Sequence, residues 1–380
     1  MDLTECRKQI DKIDDEILKL FLERMNIASA VADYKKKNGL STMQKDRERD
    51  ILKRVSDSSG SEMADYSRIL FTTLMDLSKS YQNKRNADKN GQLAEKIKKA
   101  LEDTPKMFPH SGTVACQGIE GANSQIACDK LFKNPDIIFV KNFEDVFEAV
   151  EKGTCDYGIL PIENSIHGTV TRVYDLMKNH NFHIVKSIKL KINHTLMAKP
   201  GTDISNITEI ISHEQALGQC SDFLKRYPSI KVSVCENTAV AAKIVSDSKK
   251  DNIACISSPD CAEYYSLSVL NENVANSDSN FTRFICISKD LEIYPGADRI
   301  SIIMNLPHTP GSLNSIISKF AMAGLNLTKL ESRPIAGRDF EFSFYFDLEA
   351  SIYSDDAIAI LDELSAGNTN LTFLGSYLQA

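Results

Sequence analysis

Proline and glycine are scarce at the front of this 380-residue sequence, which has no proline before Pro105 and only Gly39 and Gly60 among its first 90 residues. These two residue types interrupt helices more strongly than any others. Because the same stretch is dense in Leu, Lys, Glu and Ala, their scarcity predicts that residues 1–90 form an all-helical domain.

Paired cysteines, an excess of basic residues and long apolar runs are also lacking. Nine cysteines occur without a C-x-x-C pair, which argues against a disulfide framework or a zinc site and fits reduced thiols in the cytoplasm. The net charge of −7 argues against a nucleic-acid partner. No run approaches the roughly 20 apolar residues of a membrane span, so we expect a cytoplasmic protein with no membrane partner. No histidine pair has metal spacing together with a carboxylate, so no metal is expected.

Apolar residues recur every seven positions near the N-terminus, which predicts a helix from about Thr4 to Lys37 with one buried face. This helix would be roughly 50 Å long, too long to be covered by the two shorter helices predicted near 43–56 and 62–85. A second subunit is therefore the expected cover. The two columns are Leu3, Ile10, Ile17, Arg24 and Val31, and Cys6, Ile13, Leu20, Ile27 and Tyr34.

Arg24 is a cation within an apolar column, so its guanidinium needs an anion or a buried acid; a salt bridge within or between chains and an anionic ligand both meet that need. Lys35 lies about 20° around the helix and roughly 16 Å along it, so both cations face one cavity. Arg7 lies about 100° away and near 25 Å off, within reach of that cavity only from a partner chain.

Residues 112–290 alternate short apolar runs with amphipathic stretches, which is typical of an α/β domain with a largely parallel sheet. The stretch from His194 to about Ile256 has the pattern of a second lobe inserted in the first, and two lobes predict a cleft. Residues 91–111, Lys-rich and then proline-containing, indicate a linker. Four motifs lie at ends of predicted strands, where open α/β sheets place ligands: PIENS (161–165), HTL (194–196), SHEQALGQC (212–220) and TRF (282–284).

The tail, residues 298–380, has a different rhythm of strands and helices that predicts the order βαββαβ. Phe340, Phe342, Phe344, Phe346 and Leu348 alternate with polar residues at a strict period of two. This pattern predicts a strand with one apolar and one polar face.

The polar residues of the N-terminal helices resemble the pattern of the helical chorismate mutase family over residues 4–85. The resemblance implies an intertwined dimer of three-helix chains in which Arg24, Arg47 and the partner's Arg7 hold the two carboxylates of chorismate. It implies that Lys35 and Gln82 donate to the ether oxygen and act as the catalytic pair. The full set of chorismate-binding residues so implied is Arg7, Arg24, Lys35, Arg47, Glu48, Ser78 and Gln82.

The four motifs, in this order and spacing, resemble prephenate dehydratase over about residues 112–290. The resemblance implies a two-lobed domain of periplasmic-binding-protein type, with Thr282 as the catalytic threonine. Because a threonine hydroxyl is a weak acid, we assign it hydrogen-bond donation or proton relay. The implied prephenate-binding residues are Glu163, Asn164, Ser165, Ser212, Gln215, Gln219, Thr282, Arg283 and Phe284.

The tail resembles the regulatory ACT domain, through Gly311-Ser312-Leu313 at a helix start and Glu331-Ser332-Arg333-Pro334 at a strand end, within a ferredoxin-like βαββαβ order. The resemblance implies that L-phenylalanine binds here as an allosteric effector. The implied residues are Gly311, Leu313, Asn326, Leu327, Thr328, Glu331 and Ser332.

The three resemblances follow one another in the order of the bifunctional P-protein family of phenylalanine biosynthesis. They imply a homodimer or higher homo-oligomer that converts chorismate to prephenate and prephenate to phenylpyruvate, needs no cofactor and is inhibited by phenylalanine. Two alternatives stay open: a non-catalytic, two-lobed amino-acid-sensing module, and a dehydratase that prefers arogenate. A dehydrogenase fusion is disfavoured because no G-x-G-x-x-G follows a predicted strand.

The neutral side chain of Gln82 generates a prediction about pH. An amide donates a hydrogen bond at any pH, whereas a carboxyl at the same place would first have to be protonated. We expect mutase turnover at saturating chorismate to be nearly constant from pH 6 to 8, measured by the loss of chorismate absorbance. A steep fall within that window would contradict the role given to Gln82.

Overall fold

The computed structural model describes residues 2–38, 45–86, 91–335, 337, 341–366 and 370–380. The chain divides into two compact units, which are described separately. The first comprises Met1–Lys96, Leu306–Asn326 and Tyr353–Asn370, and the second comprises Ile97–Asn305, Leu327–Ile352 and Leu371–Ala380.

Helices dominate the N-terminal quarter and then alternate with strands. The helices of the described residues are α1 (Leu3–Lys37), α2 (Lys45–Ser58), α3 (Gly60–Asn86), α4 (Gln92–Asp103), α5 (Asn123–Leu131), α6 (Phe143–Glu151), α7 (Thr171–Leu176), α8 (Glu214–Gln219), α9 (Ser221–Leu224), α10 (Thr238–Asp247), α11 (Cys261–Tyr264), α12 (Ser312–Met322) and α13 (Asp355–Ala366), with a short 3-10 turn at Ile204–Asn206.

Within the described residues, strands begin only after residue 110. Those of the described residues are β1 (Ser111–Gln117), β2 (Asn134–Val140), β3 (Tyr157–Asn164), β4 (Gly168–Thr169), β5 (His183–Lys191), β6 (Thr195–Ala198), β7 (Glu209–Ser212), β8 (Lys231–Val234), β9 (Ile253–Ser257), β10 (Ser268–Asn271), β11 (Phe281–Ser288), β12 (Arg299–Asn305), β13 (Asn326–Pro334), β14 (Phe342–Glu349) and β15 (Asn370–Gln379).

The predicted three-helix segment is confirmed, and its first helix runs unbroken for 35 residues. In the single chain α1 and α2 both pack on α3. The apolar columns of α1 are largely uncovered: Ile17 and Ile27 are 58% and 60% exposed. A stripe of this length left in water would be costly, so the cover by a second subunit stays a prediction that the single chain is consistent with.

The predicted pair of α/β lobes is confirmed in the second unit. One lobe carries strands of a ten-stranded sheet, in the order β13-β14-β12-β15-β5-β11-β3-β1-β2 with β4 beside β3. The other carries a five-stranded sheet in the order β10-β6-β9-β7-β8. The inserted lobe extends past the predicted Ile256, because β10 belongs to it.

The first lobe's sheet is mixed, which corrects the expectation of a largely parallel one. Strand β1 pairs in parallel with β2 and β3. Strand β11 runs antiparallel to both β3 and β5. The reason is the inserted lobe: the chain leaves at the end of β5 and returns at the start of β11, with Lys191 opposite Phe281, so the two strands must run in opposite directions.

The C-terminal strands adjoin the dehydratase-like lobe, since β15 pairs in parallel with β5. The expected polar face of β14 is buried: Tyr345 and Asp347 are only 3% and 9% exposed, and Phe346 on the other face is fully buried. Strand β14 is therefore covered on both faces. The alternation of apolar and polar residues had predicted that one of these faces would be exposed to water. Phe340, expected at the start of this pattern, lies outside the described residues.

The segment expected as a linker, residues 91–111, contains the three-turn helix α4. Its apolar residues Ala94, Ile97 and Ala100 are buried. The spacing of three residues places them on one helix face, which is the reason a lysine-rich stretch still forms a packed element. None of the helices of the described residues combines the length and apolar character that a bilayer crossing requires.

Gly375 in β15 gives a stability prediction. A Cβ atom added there would lie 2.2 Å from the carbonyl oxygen of Ile184 in β5, which is backbone and cannot move aside easily. We expect Gly375→Ala to destabilise the fold by about 3 kcal/mol, measured by urea denaturation. Gly218→Ala, at a helical position with open space around it, is the control and should stabilise the fold slightly, by up to about 1 kcal/mol. Equal stability of the two variants would show that β15 does not approach β5 as described.

Candidate functional sites

A cavity of about 390 Å³ opens among α1, α2 and α3, entirely within the first unit. Four basic side chains line it against one carboxylate, so its charge favours an anionic ligand. The structure brings together six of the seven residues predicted to bind chorismate. The lining consists of Arg24, Val31, Tyr34, Lys35, Arg47, Glu48, Ile51, Met75, Ser78, Lys79 and Gln82.

The side chain of Arg24 is oriented by two hydrogen bonds to residues of α3. Its guanidinium Nη1 donates to the carbonyl oxygen of Leu74, 2.8 Å away, and to the hydroxyl of Ser78. Burial lowers the pKa of Arg24, yet an arginine stays charged at any physiological pH. Because both acceptors are neutral, they orient the guanidinium without cancelling its charge, and the charge remains for a ligand in the cavity.

Lys79 is a cavity residue that the sequence did not indicate. Its ammonium lies 3.0 Å from Glu48 and 3.1 Å from Asp76. Burial acts to lower the pKa of Lys79, but hydrogen bonds and the charges of these two carboxylates outweigh it and raise the pKa. Lys79 thus stays protonated and holds Glu48 in place at the wall. Its position one residue after Ser78 was the only available signal.

Arg7, the seventh predicted residue, lies on the exposed surface of α1 and is not part of this cavity in the single chain. Its contribution from a partner subunit stays a prediction. Ser78 and Gln82, one helical turn apart on α3, are both buried at the cavity wall.

The second site lies in the second unit, where the chain crosses between the lobes. Strands β3 and β11 place Asn164 directly opposite Thr282. The Asn164 amide nitrogen donates to the Thr282 hydroxyl oxygen at 3.0 Å, while its carbonyl oxygen accepts from the backbone amides of Ile166 and His167. These backbone donors fix which end of the amide is nitrogen. Since the Thr282 oxygen accepts this bond, its own proton is available for donation.

A chain of polar side chains continues from this pair into the inserted lobe. Asn164 also donates to Asn280 at 2.8 Å, and Asn280 donates to the amide oxygen of Gln219 at 2.8 Å. The buried His194 ring contacts that same oxygen at 2.6 Å through Nε2. The HTL motif was the only sequence signal for His194, and Asn280 was missed altogether.

A cavity of about 180 Å³ adjoins this chain. It takes its walls from both lobes and from the returning segment, so it is the cleft that two lobes predicted. Its lining consists of Ile166, His167, Gly218, Gln219, Ala275, Asn276, Ser277 and Asn280.

Four other residues predicted to bind prephenate do not line this cavity. Ser165 is committed to backbone, since it donates to the Ser279 carbonyl and accepts from the Phe281 amide. Ser212 is fully buried and donates to the Ile256 carbonyl. Phe284 is part of the hydrophobic core of the first lobe. Gln215 is exposed in the first turn of α8.

Arg283 and Glu163 are not brought together with Thr282. They alternate with Thr282 and Asn164 along β11 and β3, so their side chains leave the opposite face of the sheet. There Arg283 Nη2 lies 2.5 Å from Asp347, and Glu163 lies 2.8 Å from the ammonium of Lys329. Their prediction as substrate ligands receives no support from this geometry.

The predicted effector residues are divided between the two units. Gly311, which precedes α12 with φ +86°, belongs to the first unit together with Leu313 and Asn326. In the second unit Thr328 donates to the Asp347 carbonyl at 3.1 Å, and Glu331 accepts from Thr169 at 2.8 Å. Leu327 and Ser332 lie on the same strand, β13. Among the residues that the structure describes, no group of three or more His, Cys, Asp or Glu side chains could hold a metal ion.

Two family models match the chain: chorismate mutase type II over residues 6–83 and prephenate dehydratase over residues 114–292. The bifunctional chorismate mutase/prephenate dehydratase of Escherichia coli K12 is 30% identical over 99% of this chain and 96% of its own length. The chain belongs to this bifunctional family. Arogenate dehydratase/prephenate dehydratase 2 of Arabidopsis thaliana is 34% identical over 78% of this chain and 84% of its own length.

Solved structures resemble about two thirds of this family member. Prephenate dehydratase of Arthrobacter aurescens in complex with L-Phe has a TM-score of 0.63 at 29% identity, covering 70% of this chain and 89% of its own. GqqA, described as a quorum-quenching acylase, has a TM-score of 0.64 at 26% identity, covering 70% of this chain and 98% of its own.

His194 generates a prediction about stability and pH. Burial lowers the pKa of His194, and the hydrogen bond to Gln219 offsets part of this effect. A histidine with a folded-state pKa below its unfolded value of about 6.5 stabilises the fold fully above that pH, and this contribution is lost as pH falls toward the folded pKa. We expect the drop in melting temperature from pH 7.5 to 5.5 to be smaller for His194→Gln than for the wild type.

The exposed His308 is the matched control, and His308→Gln should keep the wild-type drop. An unchanged drop in the His194→Gln variant would show that this imidazole is not held neutral by burial.

Proposed function

We propose that this chain is a bifunctional enzyme that rearranges chorismate to prephenate in its helical part and converts prephenate to phenylpyruvate, water and carbon dioxide in its two-lobed part. The observation that carries the proposal is the pairing of Thr282 and Asn164, joined through Asn280 to the interlobe cleft, in a chain that also holds a cation-lined helical cavity. Each site has the charge and donors that its reaction needs.

The mutase reaction needs no acid, base or cofactor. A Claisen rearrangement needs the substrate held in a folded conformer and donors at the ether oxygen, which gains negative charge in the transition state. Arg24 and Arg47 hold the two carboxylates in this proposal, with Arg7 from a second copy of the chain completing the site. Lys35 and Gln82 donate to the ether oxygen. Support comes from their shared cavity and from the orientation of Arg24 by Ser78.

The dehydratase reaction couples two bond cleavages. The bond from the ring to its carboxylate breaks, its electron pair forms a ring double bond, and the C4–oxygen bond breaks as the hydroxyl takes a proton and leaves as water. The protein must hydrogen-bond the leaving hydroxyl and leave the carboxylate poorly solvated. Thr282 supplies the donor, because Asn164 occupies its oxygen as an acceptor and directs its proton elsewhere.

Regulation by L-phenylalanine through the C-terminal βαββαβ segment, as an ACT domain, is part of this proposal. The strand order β13-β14-β12-β15 and the cap of α12 by Gly311 support it, as does the Arthrobacter aurescens structure, whose title gives a complex with L-Phe. An effector shifts activity only by binding two states of the protein with different affinity.

A second candidate keeps the dehydratase chemistry and changes the preferred substrate to arogenate, which would give phenylalanine directly. The name of the Arabidopsis relative, arogenate dehydratase/prephenate dehydratase 2, supports this candidate. Presenting the purified protein with prephenate and arogenate together, and following both products, decides between the two substrates.

The central test follows prephenate and phenylpyruvate separately after chorismate is added to the purified protein, with and without L-phenylalanine. We expect both products to appear in sequence. We expect Thr282→Ala to lower dehydratase turnover roughly 100-fold or more, because it removes a positioned donor, while mutase activity changes less than about twofold. Thr282→Ser keeps the hydroxyl and is the matched control. Undiminished phenylpyruvate formation by Thr282→Ala would exclude this centre, and no turnover by the wild type would favour a sensing module.

A further inference from the structure

Arg283 follows Thr282 directly on β11 and is almost completely buried, at 8% exposure. Its side chain leaves the sheet on the face opposite Thr282, where Nη2 lies 2.5 Å from Asp347 on β14. Asp347 is 9% exposed. Burial acts to lower the pKa of Arg283, but the neighbouring Asp347 charge raises it, so this is a buried ion pair.

Asp347 is itself fixed by the C-terminal strands. Its other carboxylate oxygen accepts from the Ser301 hydroxyl of β12 at 2.6 Å, and that hydroxyl lies 2.7 Å from the phenol oxygen of Tyr377 in β15. Its backbone carbonyl accepts from Thr328 of β13. All four C-terminal strands therefore hold the acceptor of Arg283.

The neighbouring strand β3 repeats the arrangement. Glu163 precedes Asn164 and leaves the sheet on the same face as Arg283, with 3.4 Å between its carboxylate and Arg283 Nε. Lys329 of β13 lies 2.8 Å from Glu163 and donates to Thr169 at 3.0 Å. Each half of the Thr282–Asn164 pair thus has, as its chain neighbour, a charged residue anchored in the C-terminal strands.

The pairing of β11 with β3 is irregular at this point. Arg283 lies opposite Glu163, but the next residue, Phe284, lies opposite Pro161, so Ile162 of β3 is the extra residue of a bulge. Such a bulge turns the side chains beside it, and its geometry depends on what fixes the bulged residues. Arg283 contacts Glu163, which lies between Ile162 and Asn164, so displacement of its guanidinium would shift the Asn164–Thr282 pair.

We infer that Arg283 is a positioning residue of the dehydratase site, and that its ion pair with Asp347 of the C-terminal strands fixes the Thr282 hydroxyl in its place beside Asn164. This inference rests on the proposed dehydratase function. It makes the C-terminal strands part of the dehydratase centre and assigns the substrate carboxylates to donors other than Arg283.

The test compares Asp347→Asn and Asp347→Glu with the wild type. The first removes the charge of the pair, and the second keeps the charge but displaces the guanidinium by about one bond length. We expect both to lower dehydratase kcat at least tenfold, since displacements near 1 Å cost large factors in rate, while the KM for prephenate changes less than threefold. Mutase activity of the same preparations should stay within twofold and reports on folding of the helical part.

The matched control is Glu349→Gln on the same strand. It removes the half-exposed ion pair with Arg299, whose atoms are 3.3 Å apart, and should change dehydratase kcat less than twofold. A second readout does not depend on activity: hydrogen exchange of the backbone amides of residues 281–285 should quicken at least tenfold in Asp347→Asn and stay unchanged in Glu349→Gln.

Three results would overturn the inference. A rise in KM with unchanged kcat in Asp347→Asn would mark Arg283 as a substrate ligand. Unchanged kcat in both variants, or unchanged exchange at residues 281–285, would show that the pair does not position β11. If Asp347→Asn does not fold, Asp347→Glu alone decides through its kcat. A wild type without dehydratase activity would refute the proposed function, and hydrogen exchange would still decide whether the pair holds β11.

Discussion

The buried ion pair between Arg283 and Asp347 is the interaction on which the two-lobed half of this protein depends. It joins β11, which carries Thr282, to a group of strands that begins 11 residues after β11 ends. Two buried charges persist in a protein interior only when they are paired and supplied with further hydrogen bonds, and Ser301 supplies one here. The arrangement ties the chemistry of one segment to the placement of another.

The C-terminal strands are therefore part of the packed structure of the first lobe and not only an attached domain. A regulatory domain attached by a linker can be removed without harm to the enzyme, but these strands share a hydrophobic core with the first lobe. Ile303, Tyr345, Leu374 and Tyr377 pack with residues such as Phe147 and Ile285 of that lobe. An effector that shifts β13 or β14 has a short physical route to the Thr282 hydroxyl, through Lys329 and Asp347.

The helical part illustrates a different constraint. Its cavity gathers positive charge and orients it with neutral acceptors, as the Arg24 contacts with Leu74 and Ser78 show. The cavity includes Val31 and Tyr34 of the uncovered apolar columns of α1, and Arg7 is exposed elsewhere on the same helix. Apolar burial and completion of an anion site thus require the same event, the approach of a second chain, so dimerisation and mutase activity are coupled in this proposal.

Local pattern predicted a large part of the architecture. The scarcity of helix breakers predicted three helices, alternating apolar runs predicted two lobes, and the order of the motifs predicted the bifunctional family. The local pattern gave wrong predictions where residues distant in sequence cover a segment. Helix α4 was taken for a linker, and β14 was expected to have a polar face in water.

The sequence by itself determined the three N-terminal helices, the set of functional side chains and the adjacency of Thr282 to Arg283, because these follow from neighbouring residues. Only the tertiary structure decided that Thr282 meets Asn164 on one face of the sheet while Arg283 meets a carboxylate 64 positions away on the other. The alternation of side chains along a strand predicts that Thr282 and Arg283 lie on opposite faces of the sheet, but it does not predict which residues cover each face. The cover of each face depends on which distant strands pack against it. The partner that stabilises the buried charge comes from one of those strands, and no local sequence pattern connects the two residues.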